Sequence, residues 1–283
     1  MYSINCKGSL LSLGEPVVMG IINATPDSFV EGHLSKDAAA IADMALQMLA
    51  DGAGILDIGG QSTRPGSTAV SATEECDRVL PVIEAVLSAA PSAILSIDTF
   101  SSSVAKQAIA AGAAIINDIS GGMLDEAMMP LAGSLQVPYI CMHMKGTPQT
   151  MQQEAQYEDI VKEVLDYFIE KMEAAKQAGI KDIILDPGFG FAKNNMHNFQ
   201  LLKNLPVLSI TGKPLLVGLS RKRTIYQTLD STPGEALNGT TVLNTIALMN
   251  GASILRVHDV KEAREAILLH SAYKKRPADG GAL

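Results

Sequence analysis

Eight short apolar runs punctuate this chain, and each reaches a polar residue at its C-terminal side. VVMGIIN stops at Asn23, GILDIG passes Asp57, AILSID stops at Asp98 and AAIIND ends on Asn117 and Asp118. PYICMH ends at His143, DIILDP reaches Asp186, PLLVGLSRK runs into Ser220 and Lys222, and SILRVHD ends on Arg256 and His258. One βα unit ending on a polar residue is ordinary. Eight in a row place their last side chains round one mouth, the active-site layout of a TIM barrel. The expected fold class is therefore α/β, a single (β/α)8 TIM-barrel domain over residues 1–283, in line with the ~250 residues that such barrels take. An open doubly wound sheet would give a similar string of elements, but no GxGxxG follows the first strand and no strand end carries a P-loop.

The connecting stretches carry helical period. Ile41, Met44, Ala45, Met48 and Leu49 form one apolar stripe behind Ser35, which is expected to cap the first helix. Ser71 and Glu74 have the spacing of a capping box. Further helices are expected over 102–111, 125–133, 156–178 and 260–272. Residues 3–14 alternate loosely around Gly8 and predict a short hairpin that plugs the barrel floor.

Composition narrows the function. A net charge of −8 argues against a general nucleic-acid surface but allows a local basic pocket for an anionic substrate. Trp is absent, so base-stacking platforms are not expected. Cys6, Cys76 and Cys141 show neither CxxC nor metal spacing, which fits free thiols in a reducing cytoplasm. Neither a signal peptide nor a ~20-residue apolar span is visible, so a soluble cytoplasmic protein is expected.

Two groups of strand-end residues carry chemistry. Asp98, Asn117 and Asp186 with Lys222 make a mixed acceptor and donor lining suited to a flat heterocycle bearing an amino group and a ring N–H, since one carboxylate accepts two parallel hydrogen bonds. Arg64, Arg256 and His258, joined by Thr63 and Asn23, are suited to phosphate oxygens, and the loops after strands 7 and 8 of a barrel are a frequent phosphate site. Each residue has a plainer alternative: strand-end carboxylates cap helices, and a loop Arg is often a solvated charge.

NATPDSF, DIGGQSTRPGS, IDTFSSSVAKQAIAAGAAIINDISGG, HMKGTPQTMQ, DPGFGFAKN, GLSRK and RVHDV, in that order, resemble the dihydropteroate synthase family over nearly the whole chain. The resemblance implies a stand-alone, bacterial-type barrel enzyme of folate biosynthesis, a transferase that joins 6-hydroxymethyl-7,8-dihydropterin diphosphate to 4-aminobenzoate by an SN1-like, Mg2+-assisted displacement. It implies that Asp98, Asn117, Asp186 and Lys222 hold the pterin, that Asn23 ligates Mg2+, and that Thr63, Arg64, Arg256 and His258 bind the diphosphate. Phe29, Pro65, Phe191 and the stem of Lys222 would contact the aminobenzoate, where sulfonamides would compete. A homodimer is also implied.

The chain departs from the family pattern at Gln61, at Glu31-Gly32-His33, at Ala192 and at Arg223, the last bearing on the aminobenzoate carboxylate. Asp57 is expected to support the pterin pocket from behind, and Asp118 to face away from the lumen because adjacent strand residues alternate. Cys141 and His143 read as core and strand-end residues rather than a catalytic dyad, and His33, His197 and His270 as surface or helix residues. The rival expectations are a pterin-dependent methyltransferase, which has no use for a diphosphate site, and a non-catalytic pterin-binding paralogue, which would be expected to lose Arg64, Lys222 or His258.

Overall fold

The computed structural model describes residues 2–24, 34–62 and 70–275, without the side chains of 34–39. Two strands, β1 (Ser3–Cys6) and β2 (Ser9–Ser12), form an antiparallel hairpin with Ser3 opposite Ser12. Eight parallel strands follow: β3 (Val17–Asn23), β4 (Ala53–Gly59), β5 (Leu95–Asp98), β6 (Ile115–Asp118), β7 (Tyr139–Met142), β8 (Ile183–Asp186), β9 (Leu216–Val217) and β10 (Ile254–Val257). Their order is β8-β7-β6-β5-β4-β3-β10-β9, and a parallel bridge between Leu185 and Leu215 joins the two ends into a ring. The expected (β/α)8 barrel and floor hairpin are both present.

The helices are α1 (Leu34–Ala50), α2 (Ala72–Ala89), α3 (Ser102–Ala111), α4 (Met128–Leu135), α5 (Ile160–Gln177), α6 (Asn195–Lys203), α7 (Leu205–Leu208), α8 (Arg223–Thr228), α9 (Leu237–Met249) and α10 (Val260–Lys274). Several boundaries differ from expectation. The first helix already includes Leu34, so Ser35 lies inside it rather than capping it. Half of the expected capping box forms: the Ser71 hydroxyl accepts from Glu74 N at 3.2 Å, while the Glu74 carboxylate is drawn to Arg78 one turn on. The helix expected from 125 starts at Met128, because Asp125 spends its carboxylate on the backbone N–H groups of Ser102 and Ala127. The long helix starts at Ile160, capped by Asp159, which accepts from Val161 N and Lys162 N.

The period of two along each strand sorts side chains into two environments. Val18, Ile22, Leu56, Ile58, Ile97, Ile116, Cys141, Leu185, Val217 and Val257 face the helices in one continuous core. Met19, Ile55, Ile115, Ile140, Ile184, Leu216 and Ile254 form a separate cluster with Ile4, Cys6 and Leu13 of the hairpin segment. That second cluster is a dry floor. Each fully buried Ile in it contributes ~1.5–3 kcal/mol of transfer free energy, so water is kept from the lower lumen. Two residues further along the same strands, on the same face, come Asp57, Asn117, Asp186 and Arg256. The floor thus fixes the depth of a polar layer directly above it.

Candidate active site

The polar layer is organised around Asp57, which is wholly buried. Its Oδ2 accepts from Arg256 Nε at 2.7 Å and from Asn117 Nδ2 at 2.9 Å. Arg256 Nη2 donates to Asp98 Oδ2 at 2.6 Å, so the guanidinium fork links β4, β5 and β10 across the lumen. Sequence reasoning gave Asp57 a supporting place. From there it holds both Asn117 and Arg256, two residues after the lumen-facing Ile55. Its Oδ1 is buried and finds no hydrogen-bond donor among the described residues.

Burial and charge retune these groups. Asp98 is pushed up to about 7, chiefly by burial, with Arg256 opposing and the charge of Asp57 adding to the rise. The Arg256 guanidinium resists burial because Asp57 and Asp98 hold it firmly protonated. Burial also raises the Asp186 carboxyl, against the nearby Lys222 ammonium and the Gly188 N–H that donates to Asp186 Oδ1 at 2.8 Å. Burial brings Lys222 down to about 8, with Asp186 resisting and Arg256 adding to the fall. Asp98, Asn117, Asp186 and Lys222, grouped in the sequence, therefore lie in one cluster with Arg256, which the sequence groups with the phosphate-binding residues. The pairing of Arg256 is new: it grips the carboxylates as well as standing beside His258.

The loop after β8 wraps the same mouth. Gly188 adopts φ +69°, and a Cβ there would sit 2.1 Å from the His143 carbonyl oxygen, so only glycine lets the loop press against the end of β7. Lys222 Nζ donates to the Phe189 carbonyl and lies 4.9 Å from the centroid of the Phe191 ring, a cation–π contact. Lys193, unmarked in the sequence reasoning, is buried below this loop. Its Nζ meets His143 Nδ1 at 2.9 Å and donates to the Phe191 carbonyl at 3.0 Å, and burial brings it down to about 7. His143 is buried and held neutral, its pKa lowered by burial and by Lys193.

At the far side of the mouth His258 is exposed, and its Nδ1 lies 3.0 Å from Ser220 Oγ. That hydroxyl already accepts from the His258 backbone N–H at 3.2 Å, so its own proton is available to Nδ1. Asn23 ends β3 with an exposed side chain. Thr63, Arg64, Pro65 and Phe29 lie outside the described residues, as does His33.

The remaining expectations sort cleanly. Asp118 faces away from the lumen, taking the Tyr139 hydroxyl at 2.6 Å and bonds from Ser120 and Gly122. Cys141 belongs to the helix-facing core, with its thiol pushed up to about 12 by burial, and His143 pairs with Lys193, so the two are no dyad. His197 completes a capping box with Asn194 at the start of α6. His270, expected as a surface or helix residue, lies on α10, which turns that position inward with Ala263, Ala266 and Ile267. Ala192 takes φ +49°, a conformation that a glycine adopts without strain, and Arg223 is exposed at the start of α8.

Fold and site together define a TIM barrel whose carboxylates and cations gather at its C-terminal mouth, the active-site face of such enzymes. The profile of the pterin binding enzymes matches residues 19–258. Dihydropteroate synthase of Escherichia coli K12 is 44% identical over 263 residues, 92% of this chain and 93% of that protein. Among solved structures, Xanthomonas albilineans dihydropteroate synthase with 4-aminobenzoic acid is 40% identical at a TM-score of 0.90, covering 97% of this chain and 99% of that one. The Yersinia pestis enzyme with a sulfonamide drug is 41% identical at a TM-score of 0.90, covering 96% of this chain and 99% of that one. This chain belongs, within the pterin binding enzymes, to the dihydropteroate synthase family.

Proposed function

We propose that the chain joins 6-hydroxymethyl-7,8-dihydropterin diphosphate to 4-aminobenzoate, releasing pyrophosphate and 7,8-dihydropteroate. The observation that carries this reading is the buried cluster of Asp57, Asp98, Asn117, Asp186, Lys222 and Arg256 above a dry floor. Asp98, Asn117 and Asp186 accept from or donate to the edge of the pterin. As the C–O bond to the diphosphate breaks, positive charge grows on the ring and its methylene. Preorganised carboxylates in a low-dielectric mouth stabilise that charge without reorganisation. Arg256 and His258 would take the departing oxygens, and Thr63 and Arg64 are assigned to the same diphosphate by their motif. Ser220 Oγ lies 3.0 Å from His258 Nδ1 and accepts from the His258 backbone N–H at 3.2 Å, which orients the ring at the mouth. The amine then attacks the methylene carbon and sheds a proton, so no activated protein nucleophile is required.

Mg2+ supplies charge neutralisation at the diphosphate when bound. Asn23 would hold it: its amide oxygen is a hard, neutral donor, exposed at a strand end and without a hydrogen bond to the described residues. The described residues contain no cluster of three His, Cys, Asp or Glu side chains that could hold a metal alone. One protein oxygen plus substrate phosphates suits Mg2+, which keeps most of its shell as water and phosphate. Phe191, with Phe29, Pro65 and the Lys222 stem, would contact the aminobenzoate, and sulfonamides would compete there.

A homodimer and a cytoplasmic setting are part of the same proposal. Val242, Ile246 and Met249 on α9, and Leu269 and Tyr273 on the adjacent α10, expose apolar stripes. Cys6, Cys76 and Cys141 are free thiols, and no helix of the described residues is long and apolar enough to cross a membrane.

Pyrophosphate release, followed with and without the amine and Mg2+ for wild type and Lys222→Ala, tests the reading. Mg2+-dependent release, with dihydropteroate formed only when the amine is present and a fall of ~100-fold or more in the variant, is the expected result. Pterin binding with no release under any condition would overturn it in favour of methyl transfer or a non-catalytic role.

A further inference from the structure

Lys222 and His258 stand on two different loops, and the residues beside them tie those loops together in step. Ser220 meets His258 at 3.0 Å, and the next residue along, Arg221, meets the next residue along, Asp259. The second pair is bidentate: Arg221 Nε donates to Asp259 Oδ2 at 2.9 Å and Nη2 to Oδ1 at 2.8 Å. Nη1 of the same guanidinium donates to the Pro233 and Gly234 carbonyls at 3.0 and 2.8 Å. The Arg221 backbone N–H is held by Thr240 Oγ1 of α9 at 3.0 Å. Three segments therefore converge on one side chain: the loop after β9, the turn before α9 and the start of α10.

Both members of the pair accept a local cost to make it. Arg221 sits at φ +52°, the left-handed region that L side chains rarely adopt. Asp259 occupies the N-cap position of α10, where its carboxylate would normally accept from the first-turn N–H groups, yet it makes no such bond. Its carboxylate goes to Arg221 instead. Immediately after the left-handed residue the chain is extended at Lys222 and then enters α8. That reversal turns the Lys222 side chain into the mouth, against Gly190 and Gly218, where Nζ reaches the Phe189 carbonyl. The loop's own turn bond, from Lys222 N–H to the Leu219 carbonyl at 3.2 Å, closes the reversal, and the clamp adds the hold on the Arg221 side chain that a strained non-glycine turn needs.

We propose that Arg221 and Asp259 are a positioning pair for the reaction: by clamping the two loops they hold Arg221 in its left-handed turn and so fix Lys222 and His258 against the substrate. The proposal rests on the synthase reading above. It differs from a stabilising surface ion pair, which exposed examples show to matter little. A misplacement of about 1 Å in a group that orients substrate can cost ~100-fold in rate.

The test uses the whole chain with dihydropterin diphosphate, 4-aminobenzoate and Mg2+, comparing wild type, Asp259→Asn, Arg221→Lys and Arg221→Gly well below their melting temperatures. Asp259→Asn keeps shape and loses charge, Arg221→Lys keeps charge and loses the fork, and Arg221→Gly removes the clamp while adopting the left-handed turn freely. The expected result is a fall of ~10–100-fold in kcat/KM for the pterin substrate in all three, with a displaced alkaline limb of the pH profile as Lys222 leaves its place. A brace with a purely structural role would lower the melting temperature and leave both readouts at wild-type values. Should Asp259→Asn fail to fold, Arg221→Gly decides. Retention of kcat/KM within about twofold and of the wild-type alkaline limb in the folded variants overturns the proposal while wild-type turnover upholds the synthase reading. A wild type that forms no dihydropteroate overturns both.

Discussion

Replacing Asp57 by Asn removes a charge from the centre of the lumen while leaving its volume unchanged. In the wild type one oxygen, Oδ2, serves both Arg256 Nε and Asn117 Nδ2. An amide oxygen in the same place still accepts both, but the Arg256 bond drops from charge-assisted, ~1.5–3 kcal/mol, to neutral, ~0.5–1.5 kcal/mol. The amide nitrogen takes the place of Oδ1, which already lacks a partner among the described residues, so one unsatisfied group replaces another. The net loss is about 1–2 kcal/mol, and Arg256 keeps Asp98. For a chain somewhat larger than 150–250 residues this corresponds to a fall in Tm of roughly 2–8 °C. Asp57→Ala strands both donors and should cost more, about 3–5 kcal/mol, the range for breaking a buried pair. The charge of Asp57 helps to raise the Asp98 carboxyl, so Asp57→Asn should also lower it, and the acid limb of kcat/KM should move to lower pH. Thermal denaturation together with pH-dependent turnover measures both effects. A variant at least as stable as wild type, with an unmoved acid limb, would refute the role of Asp57 as hub.

Three further predictions rest on burial and close packing. In wild type, kcat/KM for the pterin substrate should be bell-shaped, lost as pH falls through about 7 when Asp98 takes up its proton and lost as pH rises through about 8 when Lys222 gives its proton up. The stability linkage of Asp98 runs the other way: because its folded value is raised from 3.8, its contribution is complete below 3.8 and is lost as pH rises through about 7, so a Tm that gains from Asp98 ionisation over that interval would contradict the burial argument. On α4, a Cβ at Gly133 would lie 1.8 Å from the Ala178 carbonyl oxygen, backbone that cannot step aside. Gly133→Ala should therefore destabilise by ~1–3 kcal/mol despite the better helix propensity of Ala, and an unchanged denaturation midpoint would contradict the close approach.

Much of this molecule is legible in its sequence because strands with alternate residues in lumen and shell advertise themselves twice, once as apolar runs and once through the polar residue that ends them. Asp98, Asn117, Asp186, Lys222 and Arg256 were legible on that basis. The helices α6 to α9 were not. In α9 the stretch NGTTVLNTIALM is rich in β-branched residues, which blur a helical signal. Within that helix Thr240, Thr241 and Thr245 each donate a hydroxyl to the carbonyl four residues back, which satisfies the side chains locally. The Lys193–His143 pair was hidden for a different reason. Neither residue carries a signal alone, and the left-handed turns between Asp186 and Lys193 bring them together. The reach of Asp57 is hidden in the same way: the sequence shows it within an apolar run and not that an Arg 199 positions away will meet it.

The ring of strands is held everywhere by ladders except at one seam, where the two-residue β9 meets β8 through the Leu185–Leu215 bridge alone. Read from that seam, the sheet is one ribbon that runs β9, β10 and then β3 to β8 without a crossing. A circular permutant opening just before β9, near Lys213, would have its strands in chain order from one edge to the other. It would keep each inter-strand ladder intact and place both new ends beside the only junction that a single bridge secures.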